Sequence, residues 1–286
     1  MSRKTIAATF ALFLAVTSAK AEPAMWVIKD ADSTIYLIGT MHLLKRDTEW
    51  NAEKVKKTVH ESKELWLEVA DLDNDAALAP LMMKLGVDPA HPLSSKLNED
   101  QRKKLEKIAG AYGFPLASLE PMQPWLAAVV LAVGPIMKAG YDPKAGVERM
   151  LSAQAKAEGD TIHGFETAEE QLQILASLSE PEQIAFLTSV FDDLEKGIDL
   201  LDQLAKAWVD GDIDTIKRLS VDDIKKEAPT VYQKFIVRRN IAWSEKIAVM
   251  LKGSGVQLIA VGAAHLVGPD SVQAQLAKRG IKVERY

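Results

Sequence analysis

The chain has 286 residues, 48% of them apolar and 26% charged, with a formal net charge of −5. That is the make-up of a globular protein with a full core and no basic face for nucleic acid. It contains no cysteine, which excludes disulfides, thiolate metal sites and a cysteine nucleophile, so any metal must sit on His, Asp, Glu or water.

At the amino end, Arg3 and Lys4 precede an apolar run from Thr5 to Val16, and Ala19-Lys20-Ala21 follows. A positive start, an apolar stretch of this length and a small-x-small tripeptide predict a cleaved signal peptide over residues 1–21. The run is short for a membrane span. No cysteine stands at the cleavage point to carry a lipid anchor. The expected location is periplasmic or secreted, with no stable membrane span after cleavage.

Met25 to Lys29 and Ser33 to Ile38 read as strands joined by the turn Asp30-Ala31-Asp32-Ser33. The second strand runs into Gly39-Thr40-Met41-His42-Leu43. Glu49 to Lys63 carries Ala52, Val55 and Val59 on one side and lysines on the other, which predicts a helix. Glu64 to Val69 returns as a strand, with Glu68 at its carboxyl end and Asp71 just beyond. Strand, G-x-x-H, helix, strand, acid predicts a β-α-β unit that places His42 and Glu68 on one rim.

From Leu72 to Gly146 the pattern is helical, including a charged amphipathic helix over Glu99 to Ala109. Trp125 to Met137 is mostly apolar but broken by Gly134-Pro135, and reads as a buried helix. Gly146-Val147-Glu148 opens another helix, in which Glu148 suits the helix start. Thr161 to Thr167 is a third strand that delivers Glu166. Pro181 to Glu227 reads as amphipathic helix broken at Gly211-Asp212, and Pro229 to Lys252 as a further helix carrying Arg238, Arg239 and Asn240. Gln257 to Leu266 repeats the strand–G-x-x-H-L pattern, Pro269 opens a helix to Lys278, and Ile281 to Arg285 is a last strand. The expected fold class is α/β: a mixed central sheet flanked and capped by helices. Residues 22–286 are expected to form one domain, with helical cap regions at about 72–145 and 170–250. The paired strand–G-x-x-H units suggest an internal duplication.

A glycine leaves a strand by a tight turn because it tolerates positive φ. A histidine just beyond lands at the strand's carboxyl end, where α/β sheets gather site residues. Imidazole is the commonest metal ligand near neutral pH and the commonest general base. His42 and His265 are therefore the leading pair, against the alternative of two structural histidines. Glu68 and Glu166 both end apolar strands. His42, His265 and Glu68 would make an open 2-His-1-carboxylate metal site, and a second carboxylate could serve as base on metal-bound water. Singly, each glutamate also reads as a solvated strand end. Arg239 could meet a substrate carboxylate or an oxyanion, and Asn240 a peptide group; plain surface charge is the alternative. His60, His91 and His163 lack the glycine-led context and are expected to be structural. The chain has no G-x-S-x-G, Walker, G-x-G-x-x-G or H-E-x-x-H motif.

Ile38-Gly39-Thr40-Met41-His42, Glu68, Gly146-Val147-Glu148, Phe165-Glu166-Thr167 with Gln171, Arg239-Asn240 and Val261 to Gly268 resemble, in order, the blocks of the TraB/GumN family. That family is related to the Tiki metalloproteases. The resemblance covers nearly the whole mature chain, and the paired G-x-x-H blocks are its most specific part. It implies a mixed-sheet α/β fold and a metal-dependent hydrolase, in the first place a peptidase. Carried over, His42 and His265 are site histidines, Glu68 and Glu166 ligand or base, and Arg239 a substrate or transition-state contact. The expected cofactor is a divalent metal (manganese, cobalt or zinc), and the expected partner a peptide or small-molecule substrate. The alternative is a non-catalytic protein that captures a peptide, haem or iron on the same fold.

Overall fold

The computed structural model describes residues 22–70, 75–197 and 199–286. The expected signal peptide and Asp71 lie outside the described residues. The strands are β1 (Met25–Lys29), β2 (Ser33–Thr40), β3 (Leu44–Lys45), β4 (Glu64–Val69), β5 (Tyr141–Asp142), β6 (Thr161–Glu166), β7 (Gly255–Gly262) and β8 (Glu284–Arg285). Six of them form a sheet in the order β6-β4-β7-β2-β1-β8, while β3 and β5 pair separately. β7 runs parallel to both β2 and β4, β6 is parallel to β4, and β1 is antiparallel to its neighbours β2 and β8. The sheet is mixed, as the sequence predicts. The β1–β2 turn is set by Asp30, whose side chain accepts from the N–H groups of Asp32 and Ser33.

The central strands are apolar on both faces because both faces are covered. Tyr36, Ile38, Leu65, Leu67 and Leu258 pack against Val55 and Val59 of the helix Glu53–Glu61 and Val147 and Leu151 of the helix Val147–Glu158. Ile35, Leu37, Ile259 and Val261 pack the other way. They meet Trp243 and Ile247 of the helix Arg238–Met250 and Leu276 of the helix Val272–Lys278. The two strand–G-x-x-H units lie side by side, with Gly39 opposite Val261 and Gly262 opposite Thr40. Their surroundings differ, since β2 leaves a hairpin and β7 follows a helix.

The insertions are helical. The helices Glu99–Tyr112, Pro124–Lys138 and Glu180–Lys196 share an apolar core of Leu105, Ile108, Leu131, Leu187 and Phe191. Among the described residues no helix is long and apolar enough to cross a membrane.

Several boundaries differ from the expectation. The first helix starts at Glu53 rather than Glu49 because Trp50 turns in to pack on Trp208, with ring centroids 5.7 Å apart. Pro229 to Lys252 is not one regular helix: a wide π-type turn at Gln233–Val237 precedes Arg238–Met250. The last helix begins at Val272, where the Ser271 hydroxyl accepts from the Ala274 N–H, rather than at Pro269. The last strand is only Glu284–Arg285.

Ile35 is fully buried on the sheet face that packs against Trp243 and Ile247. Ile35→Ala is expected to lower the unfolding free energy by about 2–5 kcal/mol in a denaturant titration. A loss below about 1 kcal/mol would mean that this face is not packed as described.

Candidate functional site

The four parallel strands end on one edge. Thr40 of β2 is paired with Gly262 of β7, and Val69 of β4 with Glu166 of β6. His42, Glu68, Glu166 and His265 are therefore delivered to the same rim, as expected at the carboxyl ends of a parallel sheet.

His42 lies two residues past β2. The Met41 carbonyl accepts from the Val147 N–H at 3.0 Å, which docks the start of the helix Val147–Glu158 against this segment. Gly146 permits the approach, since a Cβ there would fall 2.3 Å from the His42 carbonyl oxygen. The first turn of that helix then carries Glu148 to 2.6 Å from His42 Nδ1. The Thr40 hydroxyl donates to the same carboxylate. Glu148 is buried, while the His42 side chain is 65% exposed and lines the cleft described below. The Glu148 charge raises His42 to about 9, against the opposing effect of burial. Burial pushes Glu148 up, but the His42 charge and the hydrogen bonds from His42 and Thr40 bring it below the usual carboxylate range.

His265 sits in the single turn Ala263–Leu266 after β7 and is buried. Its Nδ1 is 2.6 Å from Asn240 Oδ1, and its Nε2 is 3.0 Å from Arg239 Nη1. A guanidinium only donates, so Nε2 accepts and the proton resides on Nδ1, a tautomer assigned from these partners. Burial, with Arg239 alongside, lowers this imidazole to about 3 despite the pull of Glu68. His265 is therefore neutral.

Glu68 accepts from the Gly262 N–H at 2.7 Å through Oε1, and from Arg239 Nη2 at 2.5 Å and Gln171 Nε2 at 3.0 Å through Oε2. Burial pushes its carboxyl up, but the charge of a protonated His265, the Arg239 and His42 charges and the Gly262 N–H outweigh this and hold it well below the usual range. His265, being uncharged near neutral pH, adds nothing to that balance there.

Arg239 is 5% exposed. Its Nε donates to both oxygens of Glu166 at 2.9 and 3.0 Å, and its Nη1 to the Phe235 carbonyl at 3.2 Å in the wide turn one helical step back. The guanidinium carbon lies 4.5 Å from the Trp243 ring centroid. Glu166 also accepts from Trp243 Nε1 at 3.1 Å. Arg239, Glu166 and Asn240 are thus gathered at the site, but committed to its other residues.

The centre of the arrangement is Gly262. A Cβ on it would lie 3.1 Å from Glu68 Oε1, 3.6 Å from His265 Cδ2 and 3.8 Å from His42 Nε2. The missing side chain leaves the room in which these three groups meet. The motif glycines do not serve the backbone purpose expected of them. Gly262 has φ −48°, and Gly39 is not among the residues with positive φ. Gly39 instead admits Ala263, whose Cα would be 3.0 Å from a Cβ there. Among the described residues no group of three His, Asp or Glu forms a ready-made metal cluster.

A cleft of about 510 Å³ opens over Glu68, Arg239, Gly262 and His265, and a hollow of about 310 Å³ adjoins it at His42, Glu68, Glu148 and Gln171. The other histidines lie elsewhere: His60 is 3.3 Å from Glu158, His91 2.8 Å from Asp88, and His163 stacks on Trp66. Reading the residues one by one gave Glu148 only a helix-start role and left Thr40 and Gln171 without one. The available signal was Gly146 directly before a helix whose second residue is acidic.

The sequence pattern of the TraB/PrgY/gumN family matches residues 24–285. Uncharacterized protein YbaP of Escherichia coli K12 is 24% identical over 257 residues, covering 89% of this chain and 92% of its own. An uncharacterized protein of Treponema pallidum (strain Nichols) is 21% identical over 271 residues, covering 90% of this chain and 81% of its own. No solved structure matches.

Glu148→Gln is expected to return His42 from about 9 toward its ordinary 6.5, read by NMR titration of chelator-treated protein. Because the folded pKa is raised, the pair's stabilisation is complete below about pH 6.5 and lost as pH rises through about 9. Wild type should lose more stability than Glu148→Gln across that window, and equal losses would mean that the ion pair does not form. Arg239→Met leaves two carboxylates without their cation and is expected to cost about 3–5 kcal/mol in urea unfolding. A cost below about 1 kcal/mol would mean that these carboxylates are solvated.

Proposed function

The chain belongs to the TraB/PrgY/gumN family, and from that premise and the geometry around Gly262 we propose that it is an exported, metal-dependent hydrolase of peptide or related amide bonds. One observation carries this reading: His42 Nε2, Glu68 Oε1 and the His265 ring border the single space that Gly262 leaves. The donor set fits a divalent cation. Both histidines have Nδ1 tied to a side-chain oxygen, of Glu148 and of Asn240. That is how metal-binding histidines are oriented; His42 presents Nε2 to the space at Gly262, while His265 presents its Cδ2 edge there and its Nε2 to Arg239. When bound by His42, His265 and Glu68, manganese, cobalt or zinc supplies an activated water and a polarised carbonyl.

The chain's own residues do the rest. Glu148 holds a proton at His42 Nδ1 and fixes the ring. Asn240 does the same for His265. Gln171 and the Gly262 N–H hold the Glu68 carboxylate in place. Arg239 keeps Glu68 ionised and is itself held by Glu166, so Glu166, Arg239 and Asn240 act as positioning residues. Ligation through His265 Nε2 requires Arg239 Nη1 to give up its 3.0 Å contact there.

That contact favours a second reading, a protein that captures a peptide without turnover, because it occupies the nitrogen that a bound metal needs; capture of haem or iron through His265 would have to displace it as well. Metal analysis of protein purified without chelator separates the two. Wild type is expected to carry close to one divalent ion per chain, and His42→Ala and His265→Ala to lose it with their circular dichroism unchanged. Wild type should also cleave members of a metal-supplemented peptide or amide library. Tight ligand binding with no cleavage at any metal overturns the hydrolase.

A further inference from the structure

We propose that the substrate carries a long aliphatic chain, seated in the cleft above His42 and Glu68 and running past Ile136, Leu201 and Leu204 into a second cavity. The proposal rests on the hydrolase reading for where a bond breaks, but not for the chain's binding.

Away from the sheet edge, the wall of the 510 Å³ cleft is formed by Val129, Ile136, Leu172, Leu201, Leu204 and Phe235, among other apolar groups. Its polar members are already engaged. Tyr141 donates its hydroxyl to Asp202 at 2.7 Å, and Ser220 to the Ile216 carbonyl at 2.6 Å. Ile136, Leu201 and Leu204 also line a further cavity of about 210 Å³, continued by Val190, Leu194 and Leu219. There the Tyr112 hydroxyl donates to the Leu194 carbonyl at 3.2 Å, and Asp193 pairs with Lys196 at 3.0 Å. One layer of three side chains thus borders both spaces.

This lining selects among apolar occupants. A peptide laid along it would take its amide groups out of water with little to pair them, at a cost for each group. A hydrocarbon chain needs no partner and gains from every methylene buried. The hydrogen-bonding groups are confined to the rim with Gln171, Arg239 and Glu68. The substrate class that fits is an amphiphile: an amide head at the rim and an alkyl tail under the helical cap, as in an N-acyl amine or N-acyl amino acid.

The test is calorimetric titration of the chelator-treated mature chain with N-acyl glycinamides of increasing chain length, each below its micelle concentration. Affinity is expected to tighten about threefold to fourfold per methylene and then level off when both spaces are filled. Leu201→Trp, which crowds the shared layer, is expected to move the plateau to a shorter chain. Wild type alone suffices if that variant does not fold. Binding independent of length, no binding at any length, or equal affinity for an unacylated apolar peptide of the same span would each overturn the proposal. These readings need no metal and no turnover. A failed length series therefore leaves the hydrolase standing, and a metal-free, inactive protein with the full length series sinks only the hydrolase.

Discussion

The site depends on one buried guanidinium. Arg239 bridges Glu68 and Glu166, donates to the Phe235 carbonyl and reaches His265 Nε2. Withdrawing such a charge from water costs several kcal/mol, and only close, well-paired partners offset it. The planar fork of arginine meets these four groups in fixed directions, which a lysine could not do. The consequence is mutual: each partner is placed by Arg239, and Arg239 is held flat over Trp243. The wide turn at Gln233–Val237 lies directly before it, and such turns are a common way of re-aiming a helix at a functional position.

Around this fixed cation the remaining design is one of room. Gly146 lets a helix start press against the His42 backbone, and Gly262 leaves the gap into which His42, Glu68 and His265 look. Trp208, on the helix Asp199–Val209, donates to the Gly39 carbonyl at 2.8 Å and so ties the cap to the end of β2. The same helix supplies Leu201 and Leu204 to the cleft. Cap and rim are thus positioned by one element, and the apolar wall is held at a fixed height above the polar floor.

The sheet was legible in the sequence because strands buried on both faces read as unbroken apolar runs; β1 and β4 begin and end where the sequence predicts. The convergence of His42, Glu68 and His265 on one rim follows from parallel strands alone. What the residues did not disclose depends on distant packing. The partner of His42 is Glu148, whose reach is set by how closely a helix docks beside Gly146. That Arg239 and Glu166 face each other is a matter of side-chain direction across two elements, invisible to spacing. The motif glycines were legible as necessary, but for the wrong reason: positive φ is a local cause, whereas the clearance they provide is a tertiary one.

Charge balance ties these observations together. Glu68, Glu148 and Glu166 bring three carboxylates to a site whose buried cation is Arg239, and Arg149 lines the adjoining hollow. The Glu148 charge is met by His42, and this accounts for a histidine whose pKa is raised well above its ordinary range. The raised pKa of His42 is thus an expression of the carboxylates gathered around it, Glu148 first and Glu68 behind it.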